Sequence, residues 1–115
     1  MESRSLSLKE IGVDVEDVIA RLGGNEKAYL SICGKFRSDR NFQLFQTAIE
    51  AGDLKKAILH IHTLKGIASN LGFNRFAQVS SSILEALRKN DQEALRLKVK
   101  ELTEEYNKVI GALSS

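Results

Sequence analysis

The segment Asp53–Gly72 reads DLKKAILHIHTLKGIASNLG and carries the clearest structural signal in this 115-residue chain. Aspartate is a common helix N-cap, and glycine readily takes the left-handed conformation that ends many helices. At about 100° per residue, six apolar side chains between these limits share one arc about 100° wide. These residues are Leu54, Ala57, Ile61, Leu64, Ala68 and Leu71. The segment is therefore predicted to be a helix with one buried face.

The flanking sequence divides at similar start and stop signals. Helices are predicted over 14–22, over 25–52 with a bend or break at 37–40, and over 53–71, 74–89 and 91–113. Apolar residues never alternate with a period of two, so no strand is predicted. The chain lacks proline, so no residue of this type interrupts a helix. Short turns favour antiparallel neighbours. The predicted fold is an all-α, antiparallel, up-down four-helix bundle over residues 12–113. We expect one or two additional short N-terminal helices, and tails at 1–11 and 114–115.

Composition limits the class of protein. A hydrophobic share of 43% over 115 residues supplies the core of one domain. The single cysteine, Cys33, excludes an internal disulfide and fits a reducing compartment. No apolar run reaches the roughly 20 residues of a membrane span, and the first residues lack a signal-peptide pattern. A cytoplasmic protein without a membrane role is therefore expected.

Charge is concentrated in one part of the chain. The net charge is +2, which is too small to indicate a nucleic-acid partner. Residues 53–90, however, hold six lysines and arginines against two acids, a local balance of +4. This hairpin would suit an anionic ligand or the acidic face of a partner. An ordinary solvated helix surface would have the same composition.

Three residues of the 53–72 helix converge on one spot. His62 lies on the shoulder of the apolar arc, and His60 lies on the opposite shoulder, so the two histidines do not form a metal site. Gly66 follows His62 by about one turn, although glycine inside a helix costs about 1 kcal/mol relative to alanine. The missing side chain would open access to the imidazole. Lys65 could place its ammonium beside an anion on the ring, and the small Ser69 would keep the next turn open.

Each of these features also has a purely structural explanation. A lone histidine is commonly a surface or core residue, and a glycine within a helix commonly marks close packing against a neighbour. A lysine three residues after a histidine is common in any helix. The residue types and their spacing alone leave both interpretations open.

The run His62–Gly72, HTLKGIASNLG, strongly resembles the signature of histidine-containing phosphotransfer (HPt) domains. That signature is His-x-Leu-Lys-Gly followed by a small residue and a hydrophobic-Gly pair. The segments 12–25, 51–54 and 84–87 also resemble this family, so the resemblance covers about residues 11 to 113. It implies a helical bundle without cofactor, metal or catalytic activity of its own. It also implies that the protein is a monomer. The implied partners are response-regulator receiver domains and a hybrid sensor kinase.

The resemblance also implies roles for individual residues. His62 would accept a phosphoryl group from a receiver-domain aspartate and pass it to another receiver, with Lys65 as electrostatic partner and Gly66 as access residue. Two positions depart from the family pattern. Ile61 stands where a small residue is common, and the region 83–85 lacks the glutamine that bonds the imidazole in some members. Which ring nitrogen is phosphorylated therefore rests on the family alone.

Docking is expected around His62. Ile58 and Leu59 would form an apolar patch ringed by Lys55, Lys65 and Arg75, whose charges would speed association with an acidic receiver face.

Two other functions are compatible with a helical bundle. One is an adaptor that binds receivers without accepting phosphate. The other is the dimerising histidine domain of a sensor kinase, although there an acid typically follows the histidine and a proline lies nearby. Here Thr63 follows His62, and the chain has no proline.

Overall fold

The computed structural model describes residues 1–115 and consists of seven helices without strands, which confirms the all-α prediction. The helices are α1 Ser3–Glu10, α2 Val15–Arg21, α3 Glu26–Ser38, α4 Asn41–Ala51, α5 Leu54–Leu71, α6 Asn74–Lys89 and α7 Gln92–Leu113. The predicted bend or break at 37–40 is a break between α3 and α4. None of the helices combines the length and apolar character needed to cross a bilayer.

Helix starts follow local side-chain chemistry. Asp14, Asn25, Asp53 and Asp91 each accept a hydrogen bond from the backbone N–H three residues further on, at 3.0 to 3.2 Å. Each such cap stabilises its helix by about 1 kcal/mol. At the end of α5, Gly72 has a φ of +82°, and a Cβ there would lie 2.5 Å from a methyl carbon of Val18. Glycine is therefore required at this turn by both backbone conformation and packing.

Consecutive long helices pack as antiparallel neighbours. Two-residue connections join α4 to α5, α5 to α6 and α6 to α7, and each of these pairs forms an extensive interface. Helix α3 packs against both α5 and α7, which closes the bundle on its remaining side. Helix α5 therefore lies between α4 and α6, with its outer face turned away from the core.

The core contains aromatic side chains from four helices and one turn. Phe36 of α3 makes edge-on contacts with Phe73 and Phe76, with ring centroids 5.1 and 5.7 Å apart. Phe42 of α4 stacks on Tyr106 of α7 at 3.9 Å. Such pairs contribute about 0.5–1.5 kcal/mol beyond the area they bury. They fix the relative placement of the helices that surround α5.

Two predictions about the ends of elements are wrong. Residues 1–11 were expected to be a tail, but Ser3–Glu10 form α1, which packs on α7 and buries Leu8 completely. The contact uses few apolar residues, so the apolar periodicity of residues 3–10 is weak. Leu54 was assigned to the buried arc of α5 and is 42% exposed. It is the first residue of α5, where the helix emerges from the bundle.

Candidate functional site

Helix α5 separates a buried face from an exposed one, as the apolar arc predicted. Ala57, Ile61, Leu64 and Ala68 are all at most 1% exposed. The opposite face is open to solvent. It carries Lys55, Ile58, Leu59, His62, Gly66, Ser69 and Asn70. We call this set the outer face of α5.

The two histidines of the chain are in different environments. His60 turns towards α4, where its Nδ1 lies 2.9 Å from Oδ1 of Asn41. Because an amide oxygen only accepts, Nδ1 of His60 is the donor in this bond. The amide nitrogen of Asn41 in turn donates to Asp39 at 2.8 Å. His62 lies exposed on the outer face, and neither of its ring nitrogens forms a hydrogen bond within the protein.

Gly66 is not a packing glycine. It lies inside α5 with ordinary helical backbone, and a Cβ built there would meet no atom within 4 Å. Close approach of a neighbouring helix, the structural explanation for a glycine at this position, is therefore excluded. The glycine leaves an open surface one turn from the imidazole of His62. It costs the helix about 1 kcal/mol relative to alanine.

Lys65 provides positive charge beside this opening. Its side chain is half-buried along the junction of α5 and α6 and forms no ion pair. Ser69, one turn further on, is exposed and lines the same junction. No acid occurs within α5 itself. An anion attached to His62 would therefore meet an uncompensated ammonium within reach of the flexible lysine stem.

Apolar side chains flank the histidine on its N-terminal side. Ile58 is 42% exposed and Leu59 is 59% exposed, and Lys55 stands one turn before them on the same face. Leu44 of α4 is also exposed and lines the α4–α5 groove together with Leu59. Leu44 was missed in the sequence because it lies off the apolar stripe of its own helix. Only the packing of α4 against α5 brings it next to Leu59.

The structure separates Arg75 from this face. The Arg75 guanidinium lies 2.8 Å from a carboxylate oxygen of Glu101 and 3.5 Å from one of Glu105, both on α7. Arg75 was predicted to belong to the basic rim around His62, and this prediction is wrong. Arg75 follows the α5–α6 turn, but its position on α6 turns it towards α7, where it pairs with two acids that also pair with Lys98 and Lys108.

The two departures from the HPt pattern are resolved in different ways. Ile61 is completely buried and belongs to the core, so its size is accommodated without contact to the outer face. Leu84 on α6 is partly buried against the core, and no side chain of α6 hydrogen-bonds His62. No hydrogen bond from α6 therefore fixes the orientation of the His62 imidazole.

Comparison with family models gives one result. The model described as Hpt domain matches residues 37–112, which span α4 to α7 and include the whole outer face of α5. The chain belongs to the Hpt domain family. Such domains serve phosphotransfer in two-component signalling as phosphocarriers, and they interact with receiver domains and kinases. No match was found among curated proteins or among solved structures.

Proposed function

We propose that His62 is the phosphoacceptor of this Hpt domain, and that it receives a phosphoryl group from a receiver-domain aspartate and passes it to a second receiver. One observation carries the proposal. An exposed imidazole without internal hydrogen bonds lies one turn from Gly66, a glycine that packing does not require. Access by a large reactant is a function that explains both features together.

The proposed reaction requires few groups from this chain. A lone pair on a ring nitrogen of His62 attacks phosphorus, a nitrogen–phosphorus bond forms, and the phosphorus–oxygen bond to the aspartate breaks. The aspartate leaves as a carboxylate, and the reverse sequence loads the second receiver. Lys65 would stabilise the negative charge of the phosphoryl group by its proximity. The receiver would supply the metal ion and the remaining catalytic groups, so this chain acts as a carrier without catalytic activity of its own.

Docking would use the exposed apolar side chains beside His62. Leu59 lines the α4–α5 groove together with Leu44, and Ile58 is exposed beside it on α5. Burying these side chains on contact would favour association. Lys55 would raise the association rate with an acidic receiver face. Arg75 is not part of this proposed surface because its guanidinium is engaged by Glu101 and Glu105 of α7.

The test is transfer from a receiver domain carrying radiolabelled phosphate. We expect acid-labile, base-stable label on the wild-type chain and on His60→Gln, and none on His62→Gln. His60→Gln is a matched control because it removes the only other histidine and keeps an amide that can donate to Asn41. Label on His62→Gln equal to that on the wild type would defeat the proposal. Receiver binding without any label would instead indicate an adaptor.

The proposed carrier works as a monomer. The apolar part of the outer face is confined to a few side chains, of which Leu59 is the most exposed. Gel filtration should therefore give a mass near 12.8 kDa. A mass of twice that value would favour the dimerising histidine domain of a sensor kinase.

A further inference from the structure

The surfaces on the two sides of α5 differ in chemical character. On the α4 side, the groove exposes mainly apolar surface from Leu44, Ala48, Ala51 and Leu59, although Thr47, Asp53, Lys56 and His60 also line it. On the α6 side, five of the six residues that line a shallow hollow have polar or charged side chains. Its lining consists of Lys65, Ser69, Asn74, Ala77, Gln78 and Ser81. A protein that docks over His62 therefore meets an apolar groove on one side and a polar hollow on the other.

The hollow is supplied with hydrogen-bond donors that have no partner in the protein. The hydroxyls of Ser80 and Ser82, which lie elsewhere on α6, donate to carbonyl oxygens of their own helix at 2.9 and 3.3 Å. The hydroxyls of Ser69 and Ser81 form no such bond, and neither do the side-chain amides of the hollow. Lys65 adds three donors and a positive charge that no carboxylate neutralises. No acidic residue lines the hollow.

The position of the hollow links it to the reactive face. Lys65 and Ser69 follow His62 by about one and two turns on the α6 side of the same helix. Asn74, Gln78 and Ser81 face them from the antiparallel α6. A receiver that brings its aspartyl phosphate to His62 must cover several turns of α5. The hollow therefore lies within the area that such a partner would occupy.

We propose that this hollow is a specificity subsite that takes a carboxylate side chain of the docking receiver. The proposal rests on the proposed function, because the receiver is the partner that brings the carboxylate to this face. A carboxylate only accepts hydrogen bonds and would be matched by the hydroxyls and amides of the hollow together with Lys65. A basic side chain would be repelled by Lys65, and an apolar one would leave the hydroxyls and amides of the hollow without hydrogen-bond partners. A receiver lacking an acid at this point of contact would bind less tightly.

The test compares amide-to-carboxylate substitutions that add one negative charge without changing side-chain size. Gln78→Glu places that charge in the hollow. The matched control Asn70→Asp places it on the outer face of α5, outside the hollow. Both are made in a His62→Gln background, so binding is measured without transfer. The dissociation constant is determined by calorimetry for a receiver domain that binds the parent chain.

Gln78→Glu should raise the dissociation constant about tenfold, since a charge-assisted hydrogen bond is replaced by repulsion between like charges. Asn70→Asp should raise it no more than about twofold, the effect of a screened charge at the surface. Ser81→Asp provides a second variant in the hollow, and circular dichroism verifies that each variant is folded.

Equal weakening by the two substitutions at Gln78 and Asn70 would mean that only the overall charge of the face matters, and would overturn the subsite. Unchanged binding by both hollow variants would overturn it as well. Failure of the proposed function has a different signature, because it appears as absence of label on the wild-type chain whatever the dissociation constants are.

Discussion

Replacing Gly66 should stabilise the fold and impair phosphotransfer at the same time. The site is inside α5, its backbone is helical, and a Cβ there meets no atom within 4 Å. Gly66→Ala therefore gains helix propensity without a clash, and the free energy of unfolding should rise by about 1 kcal/mol. For a domain of this size, the midpoint of thermal unfolding should rise by about 4 °C.

A longer side chain at the same position tests access. Glutamine is a good helix former, so Gly66→Gln should also remain folded, but its side chain would extend over the surface next to His62. A reactive pair held about 1 Å out of place can lose about 100-fold in rate. We therefore expect the single-turnover rate of transfer from a phosphorylated receiver to fall by about 100-fold.

Gly111 is a matched control for both substitutions. It lies in the last turn of α7, its backbone is helical, and a Cβ at this position would also meet no atom within 4 Å. Gly111→Ala should increase stability by no more than Gly66→Ala does, because helix ends fray, and Gly111→Gln should transfer phosphate as the wild type does. A lower unfolding midpoint for Gly66→Ala would show that the space beside Gly66 is not open. Wild-type transfer by Gly66→Gln would show that access to His62 does not explain the glycine.

Three further predictions concern the core and the docking face. Tyr29→Phe removes the buried hydrogen bond from the Tyr29 hydroxyl to the Leu71 carbonyl oxygen, 2.8 Å long, and should lower the free energy of unfolding by about 1–3 kcal/mol in urea denaturation. Burial raises the pKa of the Cys33 thiol from 9.0 to about 11. Because the folded state favours the protonated thiol, the resulting contribution to the free energy of unfolding is complete below pH 9 and is lost as the pH rises towards 11. The Cys33→Ala variant should not show this loss of stability in alkaline unfolding. Lys55→Gln should slow association with a receiver at low salt, whereas Arg75→Gln should not, and stopped-flow mixing at two salt concentrations distinguishes them.

Local signals predicted most of the helix boundaries. Asp53 and Gly72 limit α5 because capping depends on a few adjacent residues, and the bend or break expected at 37–40 is a real interruption. Helix α1 was not foreseen because its stability comes from packing on α7. Leu8 buries completely in that contact, but a single apolar residue does not produce a helical pattern.

The same distinction applies to the candidate site. His62, Lys65 and Gly66 lie on one helix, so their spacing was sufficient to bring them together. Arg75 was misplaced because the sequence does not show which side of α6 faces α7. Gln78 was missed for the related reason that its proximity to Lys65 arises only from the packing of α5 against α6.

The central claim is that His62 carries the phosphoryl group in transit between two receivers. The most direct measurement is tandem mass spectrometry of the chain after incubation with a phosphorylated receiver, at neutral to basic pH, followed by a chase with a second, unphosphorylated receiver. We expect phosphate on the imidazole of His62 and its disappearance during the chase as the second receiver gains it. Phosphate on His60 or on a serine, or phosphate on His62 that no receiver removes, would contradict the claim.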